Sequence, residues 1–121
     1  MIVDDDEPIR RLLASYLSVS YTCVTARNVE EAKKLLAQSS FNLVLTDITM
    51  PGASGIELCK HINAMYKDTV VIVISASIGD RQYTDARRCE AFDYIAKPFD
   101  LSNVSGTVQR ALSYQSGHAA D

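Results

Sequence analysis

The sequence predicts an α/β protein in which one parallel β-sheet carries helices on both faces. Short apolar runs typical of β-strands alternate with segments whose apolar residues recur at helical spacing. Five strands alternating with five helices imply right-handed crossovers between parallel strands. The chain has 121 residues and no internal repeat or linker divides it, so we expect a single compact domain.

The predicted strands are short, and several end in a polar residue. They are Met1–Val3, Thr22–Ala26, Leu43–Asp47, Val70–Ser75 and Phe92–Ala96. The fourth is the most β-branched segment of the chain, which favours a buried central position. The first has three residues, which is short for a central strand and leaves open a native chain that begins before Met1.

The predicted helices follow from apolar residues three and four positions apart. The inward residues of the first helix are Ile9, Leu12, Leu13, Tyr16 and Leu17, and those of the third are Ile56, Cys59, Ile62 and Tyr66. Asp6 and Asn28 are the expected N-caps of the first and second helices. The second helix covers Val29 to about Gln38, and the third begins at Gly55 after a loop from Ile48 to Ser54. Gly79–Ala91 resembles a helix with few apolar residues.

The C-terminal helix is predicted from about Leu101 to Tyr114. Its expected inward residues are Leu101, Val104, Val108, Ala111 and Leu112. Residues 116–121 are small and polar, and we expect them to form a C-terminal tail or the start of a linker. The domain itself should cover residues 1–115.

The composition excludes several classes of protein. A net charge of −3 does not provide the excess of positive charge that binding to nucleic acid or an anionic membrane requires. Cys23, Cys59 and Cys89 are widely spaced and contain no CxxC pair, so we expect small buried residues rather than disulfides or a zinc site. The longest apolar run, Val70–Ile74, is too short to cross a bilayer. An acidic N-terminus argues against a signal peptide, and we expect a cytoplasmic protein.

Charged and hydroxyl side chains follow the ends of four predicted strands. The first strand ends in Asp4-Asp5-Asp6, the third in Asp47, the fourth in Ser75 and the fifth in Lys97-Pro98. Ligands of open parallel sheets bind beyond the carboxyl ends of the strands, so these groups should converge at one edge. Alone, each has an ordinary reading: Asp6 as a helix cap, Ser75 as a buried hydroxyl and Lys97 as a surface lysine.

Together, these groups suit phosphate chemistry. Clustered carboxylates repel one another, and Mg²⁺ is a natural compensating cation because it binds carboxylates while keeping water and phosphate ligands. A carboxylate also acts as a nucleophile on phosphorus and forms an aspartyl phosphate. A metal, a lysine and a hydroxyl together supply the positioning and charge neutralisation that phosphoryl transfer requires.

Four segments closely resemble the receiver motifs of response regulators, in the order that the family has them. They are Val3–Arg10, Leu43–Gly52 with Gly55, Ile74–Ala76 and Asp93–Phe99. The resemblance covers almost the whole chain. It implies a flavodoxin-like (βα)5 fold, a three-layer sandwich whose strands lie in the order 2-1-3-4-5, and a place in two-component signal transduction.

The resemblance also implies roles for individual residues. Asp47 is the phosphoacceptor; Asp5 and Asp47 ligate Mg²⁺ directly, Thr49 does so through its backbone carbonyl, and Asp4 acts through water. Asp6 extends the acidic pair to a triplet. Asp5 and Asp6 are therefore the alternative assignment of the family's acidic pair. Asp4 and Asp5 are preferred because Arg10 then falls at the family's usual distance.

Further expectations concern the switch. The resemblance implies that Lys97 contacts the phosphoryl group, that Ser75 hydrogen-bonds to it and that Tyr94 is the rotating aromatic residue. It also implies a cis peptide bond between Lys97 and Pro98. A phosphohistidine on a sensor histidine kinase or phosphotransfer protein would be the donor. The surface that changes would be formed by the fourth predicted helix, the fifth strand and the last helix, in a monomer or a phosphorylation-dependent dimer. An output domain or a downstream protein would read it.

Three positions depart from the family's common pattern, and two other functions compete. Glu90 stands where glycine is usual, Ser54 where aspartate is frequent, and Ser75 where threonine is commoner.

A phosphatase of the haloacid-dehalogenase type also uses an aspartate after an apolar strand, but a second aspartate usually lies two residues on, where this chain has Thr49. A binding-only module that is never phosphorylated is the third reading. We expect a switch rather than an enzyme acting on external substrates.

Overall fold

A computed structural model describes residues 1–75 and 89–119 of the chain. Its centre is a five-stranded parallel sheet in the order β2-β1-β3-β4-β5, which confirms the predicted fold class. The strands are β1 (Ile2–Val3), β2 (Thr25–Ala26), β3 (Leu43–Asp47), β4 (Val70–Ser75) and β5 (Asp93–Ala96).

Helices lie between the strands as the sequence predicts. In the described residues they are α1 (Glu7–Leu17), α2 (Val29–Gln38), α3 (Gly55–Met65) and α4 (Leu101–Ala119). Both predicted caps are confirmed: the Asp6 side chain accepts a hydrogen bond from the Ile9 amide and that of Asn28 from the Glu31 amide. Most of the helix predicted at Gly79–Ala91 lies outside the described residues, but its last part is a turn at Cys89 and Glu90 rather than helix.

Each face of the sheet carries its own apolar core, because successive strand residues point to opposite sides. On one face, strand valines pack against α2 and α3 through residues such as Leu36, Leu58 and Ile62. On the other, Leu45, Ile72 and Ile74 pack against Leu13 and Leu17 of α1 and Val104 and Val108 of α4. Burying one such side chain contributes about 1.5–3 kcal/mol, so the two cores hold the strand ends in fixed positions.

The predicted inward face of α1 is wrong in part. Leu13 and Leu17 are buried, but Leu12 is 48% exposed and Tyr16 is 39% exposed. The five predicted residues form two adjacent columns on the helix, and only the column of Leu13 and Leu17 contacts the sheet. Helical spacing identifies the apolar side of a helix but not which column within that side meets its neighbour.

Two element ends differ from the prediction by more than one residue. Strand β2 is Thr25–Ala26 rather than Thr22–Ala26, because its neighbour β1 offers only two residues for pairing. Helix α4 continues past Tyr114 to Ala119, so residues 116–119 are helical although a polar tail was expected there. Small polar residues lower helix propensity without stopping a helix. Within the described residues, no helix combines the length and apolarity needed to cross a membrane.

A candidate acidic site at the carboxyl edge of the sheet

The strand register brings the sequence-predicted site residues to one edge. Val3 of β1 pairs with Thr46 of β3, so the next residues, Asp4 and Asp47, lie side by side at the end of the sheet. On the other side of β3, the backbone amide of Lys97 donates to the carbonyl of Ser75 over 2.8 Å. The site therefore lies at the point where the strand order reverses, between β1 and β3, where doubly wound sheets bind ligands.

Three carboxylates form the centre of this site. One oxygen from each of Asp4, Asp5 and Asp47 lies within 4.8 Å of the other two. Asp4 and Asp47 are buried, at 1% and 6% exposure, whereas Asp5 is exposed to solvent. Asp6 is not in this group because its side chain caps α1. The structure thus brings Asp4 and Asp5 to Asp47, which is the placement the sequence analysis preferred.

Lys97 supplies positive charge to the cluster. Its Nζ lies 2.9 Å from Asp47 Oδ2, within hydrogen-bond distance, and 4.0 Å from Asp4 Oδ2. A charge-assisted bond of this kind is stronger than a neutral one and fixes the direction of the Asp47 carboxylate. Among the described residues, one ammonium faces three carboxylates, so these groups together keep an excess of negative charge when all three carboxylates are ionised.

Two hydrogen bonds to neighbouring residues hold Asp4 in place, yet one of its side-chain oxygens has no hydrogen bond. Asp4 Oδ1 accepts from the Asp6 amide at 2.9 Å, and its backbone carbonyl accepts from Arg10 Nη1 at 2.9 Å. Asp4 Oδ2 is buried and has no hydrogen-bond partner among the described residues. Burial raises the pKa of Asp4 above its ordinary value, and the nearby charges of Asp47 and Asp5 raise this pKa further.

This arrangement fits a hard divalent cation. Leaving a buried polar atom without a partner costs about 1–3 kcal/mol, and a cation that takes Asp4 Oδ2 into its surroundings would offset that cost. The three carboxylates offer oxygen ligands, the type that Mg²⁺ prefers, and their excess negative charge favours binding of a cation. Asp4, Asp5 and Asp47 are thus able to hold such an ion.

Gly55 was predicted only as the start of α3, but it also fixes the backbone of Asp47. Its amide donates to the Ile48 carbonyl at 2.8 Å. A Cβ at this position would lie 1.9 Å from the Asp47 carbonyl oxygen and 2.8 Å from its carbon, which no side chain permits. The first turn of α3 therefore packs directly against the residue that ends β3, and only glycine allows this approach.

The other predicted residues occupy the positions that their motifs suggest. Ser75 is buried at the end of β4, and Thr49 is exposed in the loop after Asp47. Tyr94 is partly buried and packs on the core beside α2 and α3. The bond between Lys97 and Pro98 is cis, as predicted. Ala76, which ends one of the motifs, lies outside the described residues.

A doubly wound sheet with a carboxylate cluster and a lysine at its switch point defines an α/β domain that can hold a divalent cation there. Comparison with protein families agrees with this class. Residues 1–109 match the family model of the response regulator receiver domain. The chain therefore belongs to the receiver domain family of two-component response regulators.

The chain matches only part of the length of individual relatives. It is 38% identical over 117 residues to the regulatory protein AtoC of Escherichia coli, covering 96% of this chain and 25% of AtoC. It is 36% identical to the response regulator protein PilR of Pseudomonas aeruginosa, covering 100% of this chain and 27% of PilR. The chain thus spans about a quarter of the length of these relatives.

A solved structure shares both the fold and part of the sequence. The response regulator protein TrrA of Thermotoga maritima, in complex with Mg²⁺-BeF, superposes with a TM-score of 0.81 at 33% identity. The match covers 91% of this chain and 95% of that one. It shows that a relative with this fold holds Mg²⁺-BeF.

Proposed function

We propose that Asp47 is the phosphoacceptor of this receiver domain. The observation that carries the proposal is the buried Asp47 carboxylate, paired with Lys97 and adjacent to Asp4 and Asp5. An Asp47 oxygen attacks the phosphorus of a phosphohistidine on a histidine kinase or phosphotransfer protein. A P–O bond forms, the P–N bond breaks, and its electron pair stays on the imidazole nitrogen.

Mg²⁺ is the proposed cofactor of this transfer. Asp5 and Asp47 would hold the ion directly, the Thr49 carbonyl would contribute a further oxygen, and Asp4 would act through water. When bound, the ion neutralises negative charge on the phosphoryl oxygens and on the carboxylates. The resemblance to TrrA, which is described with Mg²⁺-BeF, supports this cofactor.

Lys97 and Ser75 are the proposed contacts of the new phosphoryl group. The Lys97 ammonium already donates to Asp47 Oδ2 at 2.9 Å. A small movement would therefore carry it to an oxygen of the phosphoryl group attached to that carboxylate. Ser75 ends the neighbouring strand β4, and its carbonyl binds the Lys97 amide. A phosphoryl group on Asp47 thus lies between two groups that belong to the same pair of strands.

The output is proposed to be a population shift. Phosphorylation favours the arrangement in which Ser75 bonds to the phosphoryl group, and Tyr94 then moves into the space that Ser75 leaves. Tyr94 is two residues from Ala96, whose strand partner is Ser75, so the two side chains are linked through β4 and β5. The surface formed by the fourth predicted helix, β5 and α4 would report the change to an output domain or a downstream protein.

Intact-mass spectrometry after incubation with acetyl phosphate and Mg²⁺ tests this function. We expect one added phosphoryl group that requires Mg²⁺ and is absent from Asp47→Asn. Asp6→Asn is the matched control, because asparagine also caps helices and Asp6 lies outside the carboxylate cluster. A folded, Mg²⁺-binding chain that gains no phosphoryl group would support the binding-only alternative, and an adduct that persists in Asp47→Asn would show that another residue is the acceptor.

A further inference from the structure

Two buried cysteines from distant parts of the chain lie in contact on the α3 side of the sheet. Cys59 of α3 is 0% exposed, and Cys89, in the turn before β5, is 3% exposed. Cys59 Sγ donates to the Cys89 carbonyl oxygen over 3.4 Å, and a hydrogen bond also links the two side chains. Residues 30 positions apart thus bring the Cys59 sulfur into contact with Cys89.

Asn63 fixes the relative position of the two cysteines. Its Nδ2 donates to the Cys89 carbonyl and lies 3.8 Å from Cys59 Sγ, so one side chain of α3 contacts both residues. Glu90 follows with a positive φ of 62°, which shapes the turn that presents Cys89 to the helix. These contacts are specific to the pair, since Cys23 lies on the opposite face of the sheet.

We propose that Cys59 and Cys89 form an oxidisable dithiol that closes to an intrachain disulfide when it reacts with hydrogen peroxide. The proposal does not depend on phosphorylation of Asp47. Both thiols are buried, so a small neutral oxidant is the appropriate reagent, whereas a bulky disulfide would not reach them. The bond would tie α3 to the turn that leads into β5, the strand that carries Tyr94 and precedes Lys97.

The pKa values of the two thiols shift in opposite directions. The hydrogen bond from Cys59 and a backbone hydrogen bond at Ala91 lower the pKa of Cys89, while the bond to Cys89 and burial raise the pKa of Cys59. The sulfur with the lower pKa is the better thiolate and attacks first. The reaction is accordingly written with Cys89 as the attacking residue, although the cross-link itself does not depend on which of the two thiols reacts first.

The reaction balances in two steps. The Cys89 thiolate attacks one peroxide oxygen, the O–O bond breaks, and hydroxide leaves to give a sulfenic acid at Cys89. The Cys59 sulfur then attacks the Cys89 sulfur, the S–O bond breaks, and the displaced hydroxide and the Cys59 proton leave as water. In total, two thiols and one hydrogen peroxide give one disulfide and two waters.

Peptide mapping of the wild-type chain tests the proposal without relying on a variant that has to fold. The reduced chain is treated with hydrogen peroxide, free thiols are alkylated in denaturant, and the digest is analysed without reductant. We expect one cross-link, between the peptides of Cys59 and Cys89, with Cys23 alkylated. The same treatment in urea is the control and should give all three pairings, because the unfolded chain loses the geometry that selects one.

Two results would overturn the proposal. The first is a native chain in which Cys59 and Cys89 are both still alkylated after a dose that cross-links the unfolded chain. The second is a native chain whose cross-link includes Cys23. Cys23→Ser should leave the expected cross-link unchanged, whereas Cys89→Ser should abolish it and leave Cys59 alkylated.

Discussion

Substituting alanine for Gly55 should displace the backbone of the proposed phosphoacceptor. The added Cβ would lie 1.9 Å from the Asp47 carbonyl oxygen, so α3 and the end of β3 must separate by more than about 1 Å. That separation breaks the hydrogen bond from the Gly55 amide to the Ile48 carbonyl, worth about 1 kcal/mol, and it adds an overpacking cost of about 1–3 kcal/mol.

We therefore expect Gly55→Ala to lower the free energy of unfolding by about 2–4 kcal/mol. For a chain of this size the melting temperature should fall by about 6–20 °C, measured by circular dichroism. Gly106→Ala is the matched control: Gly106 also lies in a helix, and a Cβ there meets nothing within 4 Å. Alanine at Gly106 should stabilise the chain by about 0.5–1 kcal/mol through helix propensity.

Comparing the two alanine variants shows whether the close approach of Gly55 to Asp47 causes the loss of stability. If Gly55→Ala melts within about 2 °C of the wild type, a difference well under 1 kcal/mol, the close approach of α3 to Asp47 does not constrain the fold. If Gly106→Ala is as destabilising as Gly55→Ala, the loss cannot be attributed to contact with Asp47.

Three further predictions follow from particular residues. Glu90 has a φ of 62°, so Glu90→Gly should raise the free energy of unfolding by about 0.5–1 kcal/mol in urea titrations, and a loss would contradict the strained turn. Burial raises the pKa of Asp4, so without metal the free energy of unfolding should decrease as the pH rises above 3.8 through the raised pKa. Asp4→Asn should lack this decrease, and an unchanged dependence of stability on pH in that variant would refute the prediction. The exposed Arg110–Asp93 pair, 3.1 Å apart, should show a coupling free energy below about 1 kcal/mol in a double-mutant cycle, and this coupling should vanish near about 1 M salt. A larger coupling would show that solvent does not screen the pair.

The sequence predicts which residues gather at the carboxyl edge of the sheet because strand ends in a parallel sheet meet at one edge. Asp4 and Asp47 follow apolar runs that register side by side, and Lys97 follows the strand that pairs with β4. Periodicity alone does not order the strands, and the order β2-β1-β3-β4-β5 came from the resemblance to receiver domains. The motif residues therefore carried information that the hydrophobic pattern lacks.

The sequence could not supply contacts that depend on tertiary packing. A glycine at the start of a helix is compatible with many neighbours, so the approach of Gly55 to Asp47 is visible only in the structure. Leu12 and Leu17 have equal apolar character, yet one is half exposed and the other buried because the sheet contacts one column of α1. The contact between Cys59 and Cys89 joins segments that no local pattern relates.

Locating the acyl phosphate directly is the sharpest test of the central claim. Borohydride reduces an aspartyl phosphate to homoserine, so the chain is phosphorylated with acetyl phosphate and Mg²⁺, reduced, digested and sequenced by mass spectrometry. We expect homoserine at position 47 alone, and none when Mg²⁺ is removed with a chelator. Homoserine at Asp4, Asp5 or Asp6, or no homoserine in a chain that binds Mg²⁺, would contradict the assignment of Asp47 as the phosphoacceptor.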